Sequence, residues 1–358
     1  MQVRHFKLKF TLWLIVAAGL VYYFAHRLEW AEVRASFREL NLSLAAASIL
    51  PILATYLARA LRWRAFLAPM GRPSVRNLFA ATVIGFSSIF VFGRVGEVTR
   101  PVILSLRERI RPSATVATIM IERLFDSTAV VLLFAIDVAF FGHLDSHQLV
   151  TVRQVGLGLL IASSFAIGGL SIFRWRANAV LGFLETSLSW LPKKIHRVLL
   201  NLLRHLADGL YVLHDVRGLL VTGGYTMLVW ALVTLSFWLV VRAFGLPLPV
   251  ASIIFILGFA LVGSLVPTPG GSAGAFHTVT MVALVLLGVE QNKAASVAIA
   301  MHFVAFGSAL VFGIYFLVRD GISFTRLRAI VAEEMVSLHD VAGRATEDAE
   351  AQTIGAKP

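Results

Sequence analysis

An all-α, polytopic integral membrane protein with about six full spans and two broken or re-entrant helical segments is what this sequence predicts. Three observations predict it. The 358 residues are 58% hydrophobic and only 15% charged, with a positive mean hydropathy, a balance that suits bilayer-spanning helices and not a soluble domain around a core. Apolar runs long enough to cross a hydrocarbon layer of about 30 Å recur along the chain. Two of these runs are interrupted by glycine, proline and charge, at residues 93–101 (GRVGEVTRP) and 267–274 (PTPGGSAG). A lipid-facing helix tolerates neither broken backbone nor buried ions, so both interruptions must face protein or water.

The elements follow in order. Arg4, Lys7 and Lys9 precede an apolar run, and no small-residue cleavage site follows it, so residues 9–25 read as a retained first span with the N-terminus in the cytoplasm. Residues 27–41 balance three arginines with three glutamates and suit an outside loop. The second span, residues 42–66, ends in Arg59, Arg62 and Arg64. Arg72 and Arg76 follow with no acid between 59 and 76, which assigns that end to the cytoplasm.

A full crossing by residues 78–92 would then put Arg94, Arg100, Arg107, Arg109 and Arg111 outside, against the positive-inside rule. A re-entrant hairpin over 77–106 removes the conflict. Residues 113–141 run outward and 152–173 return. Residues 177–217 are too polar to span. Ile195, Leu199, Leu202 and Leu206 form one helical stripe with Lys194 and Arg197 off it, the pattern of a cytoplasmic interfacial helix on anionic lipid and equally of a soluble helical hairpin. Residues 219–244 cross outward. Residues 250–288, broken at 267–274, either cross twice or form a hairpin from outside, and 294–318 return to the cytoplasm. The domain plan is a transmembrane domain over 1–320 and a polar cytoplasmic tail over 321–358, disordered towards its end. Interrupted segments in corresponding positions of two halves suggest inverted repeats, and they are the best sequence pointer to a transporter's substrate site.

The chemistry concentrates at few residues. Glu122, Arg123 and Asp126 form a polar island inside an apolar span; Glu122 and Asp126 share a helix face, and Arg123 can pair with Asp126 three residues on. Arg94 and Arg100 are their expected partners, free also to hold a ligand phosphate. A structural salt-bridge knot and a substrate site are both consistent with this pattern. The 267–274 break offers unpaired backbone N–H groups where a helix restarts, fit for an anion, and glycines fit equally for a close helix crossing. His277 and His302 sit in apolar sequence, where a satisfied core imidazole is the ordinary reading.

These motifs carry a resemblance. Residues 93–101, then Glu122-Arg123-Leu124-Phe125-Asp126, then 267–271 resemble three ordered signatures of the flippase-like transmembrane region of lysylphosphatidylglycerol synthases, over about residues 10–320. The likeness is to a stand-alone member without the aminoacyl-transferase domain. It implies re-entrant helices, a lipid-translocating role, and site residues Gly96, Glu97, Arg100, Glu122, Arg123, Asp126, Pro269, Gly270 and Gly271. His277 stands where the resemblance leads one to expect an acid.

Together these readings predict a multi-pass protein of the bacterial inner membrane, both termini cytoplasmic, that binds the headgroup of a phospholipid or other lipid phosphate. Arg94, Gly96, Glu97, Arg100, Glu122, Arg123, Asp126, Pro269, Gly270, Gly271 and His277 are the substrate-binding candidates. The rival readings are an intramembrane enzyme with Glu122 or Asp126 as general base, and an accessory subunit of a glycolipid-synthesis complex; a homo-oligomer is a further partner class. No catalytic residue, metal or cofactor is assigned. Walker and dinucleotide motifs are absent, His143 and His147 near Asp145 lack a third ligand, and Ser272 with His277 lacks a nucleophile elbow. The net charge of +12 lies beside the spans and not on a soluble basic module, which excludes nucleic acid as partner. Without cysteine there are no disulfides and no thiolate chemistry.

Overall fold

Side chains close three of the helix starts. Asn41 accepts from the backbone of Leu44, Ser74 from Asn77, and Glu290 from both Asn292 and Lys293, each satisfying N–H groups that a helix start leaves open. The computed structural model describes residues 2–68, 71–110, 112–140, 216–266, 268 and 270–321, with isolated positions between 154 and 187. The expected return span 152–173, the amphipathic stretch 177–217 up to the start of the next helix, His143, His147, Pro267, Pro269 and the tail beyond 321 lie outside the described residues.

Every regular element among the described residues is helical: α1 (Gln2–Ala25), α2 (Trp30–Arg38), α3 (Leu42–Ala47), α4 (Ile49–Leu67), α5 (Val75–Phe92), a 3-10 turn (Gly93–Val98), α6 (Thr99–Glu108), α7 (Pro112–Phe140), α8 (Val216–Ala243), α9 (Val250–Ser264), α10 (Ala275–Leu286), α11 (Gln291–His302), a π turn (Phe303–Gly307) and α12 (Ser308–Arg319). Three of the described stretches are long and apolar enough to cross a membrane: Leu42–Leu67, Arg217–Ala243 and Gln291–Arg319. The 27–41 stretch, expected as a loop, holds the nine-residue α2. Val33 buries against the layer that includes Ala295 of α11, and the polar residues stay outside.

Both interrupted segments fold as hairpins. In the first, α5 and α6 run back along each other and their outer ends are tied. Glu108 Oε1 accepts from the Ser74 backbone at 2.9 Å and from Asn77 Nδ2 at 2.7 Å. Burial pushes the Glu108 carboxyl up, but these bonds outweigh it and hold it below its usual range. Arg107 pairs with Asp320 just past α12, so the last helix is fastened to the same end.

In the second, α9 and α10 pack against each other. With 15 and 12 residues they reach only about 22 and 18 Å, so neither spans about 30 Å of hydrocarbon alone. Gly263 lets the two helices touch, since a Cβ there would lie 2.9 Å from the Ala275 carbonyl and the Phe276 Cα.

The two hairpins meet at their breaks, where the Gly270 N–H donates to the Phe90 carbonyl at 2.7 Å. Long helices flank them: α4 packs on α8, α12 on α5, and α9 on α7. Each half thus presents the same order of elements, a long helix, a broken hairpin and a long helix.

Candidate functional site

The polar island of α7 is buried where α4, α6, α7 and α8 converge. Glu122 is fully buried and Asp126 is 5% exposed. On the hairpin side, Arg100 of α6 donates from Nη1 to Glu122 Oε1 at 2.8 Å. This is the partnership the sequence suggests.

The stronger partners come from α4. Arg62 Nη1 lies 2.7 Å from Asp126 Oδ1, and its Nη2 lies 3.1 Å from Asp126 Oδ2 and 3.0 Å from Glu122 Oε1. Arg59 Nη1 donates to Asp126 Oδ2 at 2.9 Å. Arg62 also reaches Thr226 of α8 at 2.9 Å, so one guanidinium ties three helices. Such multiply bonded, charge-assisted contacts are the geometry in which a planar guanidinium exceeds an ammonium.

This corrects the sequence reading twice. Arg59 and Arg62 are not cytoplasmic loop charges, being 7% and 0% exposed; only Arg64, Arg72 and Arg76 remain on the surface to mark that end. Burial among carboxylates makes Arg59 and Arg62 counter-ions inside the fold. Nor does Arg123 pair with Asp126. Its Nη2 approaches Glu122 Oε1 at 3.7 Å with the side chain 37% exposed, because Arg59 and Arg62 already occupy both Asp126 oxygens.

Aromatic side chains frame the cluster. The Arg100 guanidinium lies over the Trp63 ring at 4.1 Å, a favourable cation–π placement. Trp63 Nε1 in turn donates to Thr118 of α7 at 2.9 Å. Arg59 lies over Phe86 at 5.3 Å. Four guanidinium groups, of Arg59, Arg62, Arg100 and Arg123, therefore face two carboxylates. Arg100 Nε and Nη2, Arg62 Nε and Arg123 Nε are buried with no hydrogen-bond partner among the described residues, as is Glu122 Oε2.

The other predicted residues fall in two places. Gly96 packs the 3-10 turn onto α5, where a Cβ would sit 2.3 Å from the Ser88 carbonyl carbon. Glu97 is half-buried on the same turn, and Arg94 lies on it with a side chain outside the described set. Gly270, Gly271 and His277 form a separate group at the second break. His302 joins them, its Nε2 3.1 Å from the Gly271 carbonyl and its ring 4.6 Å from that of His277. A bridge of packed side chains separates the two groups. Phe86 contacts Tyr56 at 5.3 Å, and the Tyr56 hydroxyl donates to Ala305 in the π turn at 2.9 Å.

Sequence reasoning passed over Arg59, Arg62, Trp63, Tyr56 and Thr226. The available signal was position: Arg59 and Arg62 are three apart, hence on one helix face, and still lie among Ala58, Ala60, Leu61 and Trp63.

Broken helical hairpins between long apolar helices, closed round a buried arginine–carboxylate cluster, define a multi-pass helical membrane protein. The match to a family model places it more narrowly: residues 10–313 fit the lysylphosphatidylglycerol synthase TM region, and the chain belongs to that family. No curated protein and no solved structure matched the chain.

Proposed function

We propose that the buried cluster holds the phosphate of a lipid headgroup, and that the protein moves such a lipid across the bacterial inner membrane. The observation that carries this is the charge balance of the cluster. Three buried guanidinium groups, of Arg59, Arg62 and Arg100, against two carboxylates leave a cationic surplus inside the fold, Arg123 being partly exposed and near Glu97. Arg100 offers two buried N–H donors with no acceptor among the described residues while only 4% exposed. An uncompensated buried cation is costly, and an anion with several acceptor oxygens removes that cost. Catalysis fits less well. Both oxygens of Asp126 and one of Glu122 are engaged by guanidinium groups, which suits counter-ions and not a free general base.

Ligand linkage tests this reading. A lipid that binds only the folded protein at about 100 times its Kd adds about 2.7 kcal/mol of stability. In detergent, a phosphate-bearing phospholipid is expected to raise Tm, whereas diacylglycerol with the same chains is not. Equal shifts for both lipids would contradict a phosphate site.

The family and the hairpins support a re-entrant placement, with the joined ends of α5 and α6 in the cytoplasm beside both chain termini. Cysteines at Ser74 and Ser113 are then expected to react with a membrane-impermeant reagent from the cytoplasmic side alone. Reaction of the two positions from opposite sides would mean that the first hairpin crosses the bilayer.

A further inference from the structure

The second break carries a pair of imidazoles in contact, buried His302 and partly buried His277, that the headgroup site does not use. His302 ends α11 and abuts the π turn; it is 4% exposed. Its Nε2 faces the Gly271 carbonyl at 3.1 Å, so this nitrogen carries hydrogen and donates. His277 is the third residue of α10, and its Nδ1 accepts from the Gly274 N–H at 3.4 Å. Hydrogen in neutral His277 therefore sits on Nε2, a buried atom with no partner among the described residues. Here His277 performs the capping-box role that Glu or Gln ordinarily fills at this helix position.

The rings meet edge to face at 4.6 Å. Around them stand Phe24 of α1, Phe90 of α5, Phe276 of α10 and Phe306 of the π turn, 4.9–6.1 Å from whichever imidazole each faces. Charged groups are remote from the pair. Helix α9 has no ionisable residue, α5 has only Arg76 at its far end, and α11 has Lys293 at its far end. On α1, Tyr22 and Tyr23 are exposed, His26 stacks on Tyr22, and Arg4, His5, Lys7 and Lys9 lie near the other terminus. Helix α12 contributes Tyr315, exposed, and Arg319 at its end; the Tyr56 hydroxyl of α4 is taken by Ala305. Glu97, on the turn next to Phe90, makes no hydrogen bond or ion pair with either ring among the described residues.

We propose that His277 and His302 form a one-proton site that sets the conformation of the 270–274 break. Each imidazole makes its bond to that break, and a proton changes each bond in a defined way. On His302 the proton goes to Nδ1 and turns the Nε2–H···O=C bond to Gly271 into a charge-assisted one, about twice as strong. On His277 the proton takes the Nδ1 lone pair that receives the Gly274 N–H, and the α10 cap opens. Two charged rings in contact repel, so one proton excludes a second. The break can respond because it is tightly fitted and irregular: Gly270, Gly271 and Gly274 take positive φ, which glycine allows, and Ser272 takes it as a non-glycine residue. A Cβ at Gly271 would press on Phe306 at 3.0 Å, and Phe306 belongs to a π turn, an element that recurs at functional sites.

The cysteine-free chain allows a direct test, because a single Ala273→Cys carries an environment-sensitive fluorophore on the break. In nanodiscs the full chain is titrated from about pH 8 to about pH 4, the range that brackets imidazole. The comparison is the His277→Gln/His302→Gln double variant. Glutamine keeps both bonds, accepting from Gly274 and donating to Gly271, but it does not titrate. The expected result is an emission shift in the parent, lost in the double variant at unchanged Tm. In histidine 15N spectra, one ring of the pair is expected to become doubly protonated, not both. A flat parent titration, an equal shift in the double variant, or both rings charging together would each overturn the proposal. Headgroup binding enters none of these readouts, so their failure leaves the phosphate site to its own test.

Discussion

Replacing Arg62 by alanine is expected to remove about 3–5 kcal/mol of stability, read as a large fall in Tm. Arg62 is fully buried and donates to Asp126, with its Nη2 also 3.0 Å from Glu122, while Thr226 on α8 completes its bonds. Without it, two carboxylates remain in the interior with Arg59 and Arg100 as their main counter-ions, and α4 loses its polar tie to α8. Thermal unfolding in detergent measures the loss. An Arg62→Ala protein that melts with the parent would mean the cluster is no lock.

Gly96→Val is the second substitution with a large expected effect. The missing Cβ at this position leaves room for the Ser88 carbonyl carbon at 2.3 Å and the Ile89 nitrogen at 2.5 Å, both backbone atoms that no rotamer change can move. Overpacking ordinarily costs about 1–3 kcal/mol. Here the contact is backbone on backbone, so the 3-10 turn must lift from α5 and carry Arg100 with it. The expected result is loss of phospholipid-dependent stabilisation along with a lower Tm. A variant with parental Tm and parental lipid response would show that the turn does not depend on this close approach.

Much of this was legible in the chain. Glycine and proline amid apolar sequence marked both breaks, since a bilayer allows broken backbone only against protein, but left open whether 250–288 cross twice or form a hairpin. The ionisable residues of α7 marked the cluster, because a lipid-facing helix cannot carry them. Arg59 and Arg62 were not legible by the same route. The positive-inside rule counts charges near span ends, and at the end of an apolar run a buried counter-ion looks the same as a loop cation. Asp126 has oxygens for few donors, and only the fold shows that α4 brings two guanidinium groups to it, leaving Arg123 beside Glu122. The His277–His302 contact joins residues 25 positions apart on separate helices, and no periodicity reports such a pair.

The role of Arg100 decides between headgroup site and structural lock most directly. Arg100→Lys keeps the positive charge and its reach towards Glu122 but removes the planar fork whose free Nε and Nη2 are offered to phosphate. Labelled phospholipid is followed across the bilayer of proteoliposomes containing parent or variant, with Tm measured on the same preparations. The expected result is a fall in translocation of about tenfold or more, the equivalent of about 1.4 kcal/mol, at unchanged Tm. Translocation at the parental rate, or a variant that unfolds as Arg62→Ala does, would contradict a lipid phosphate on Arg100.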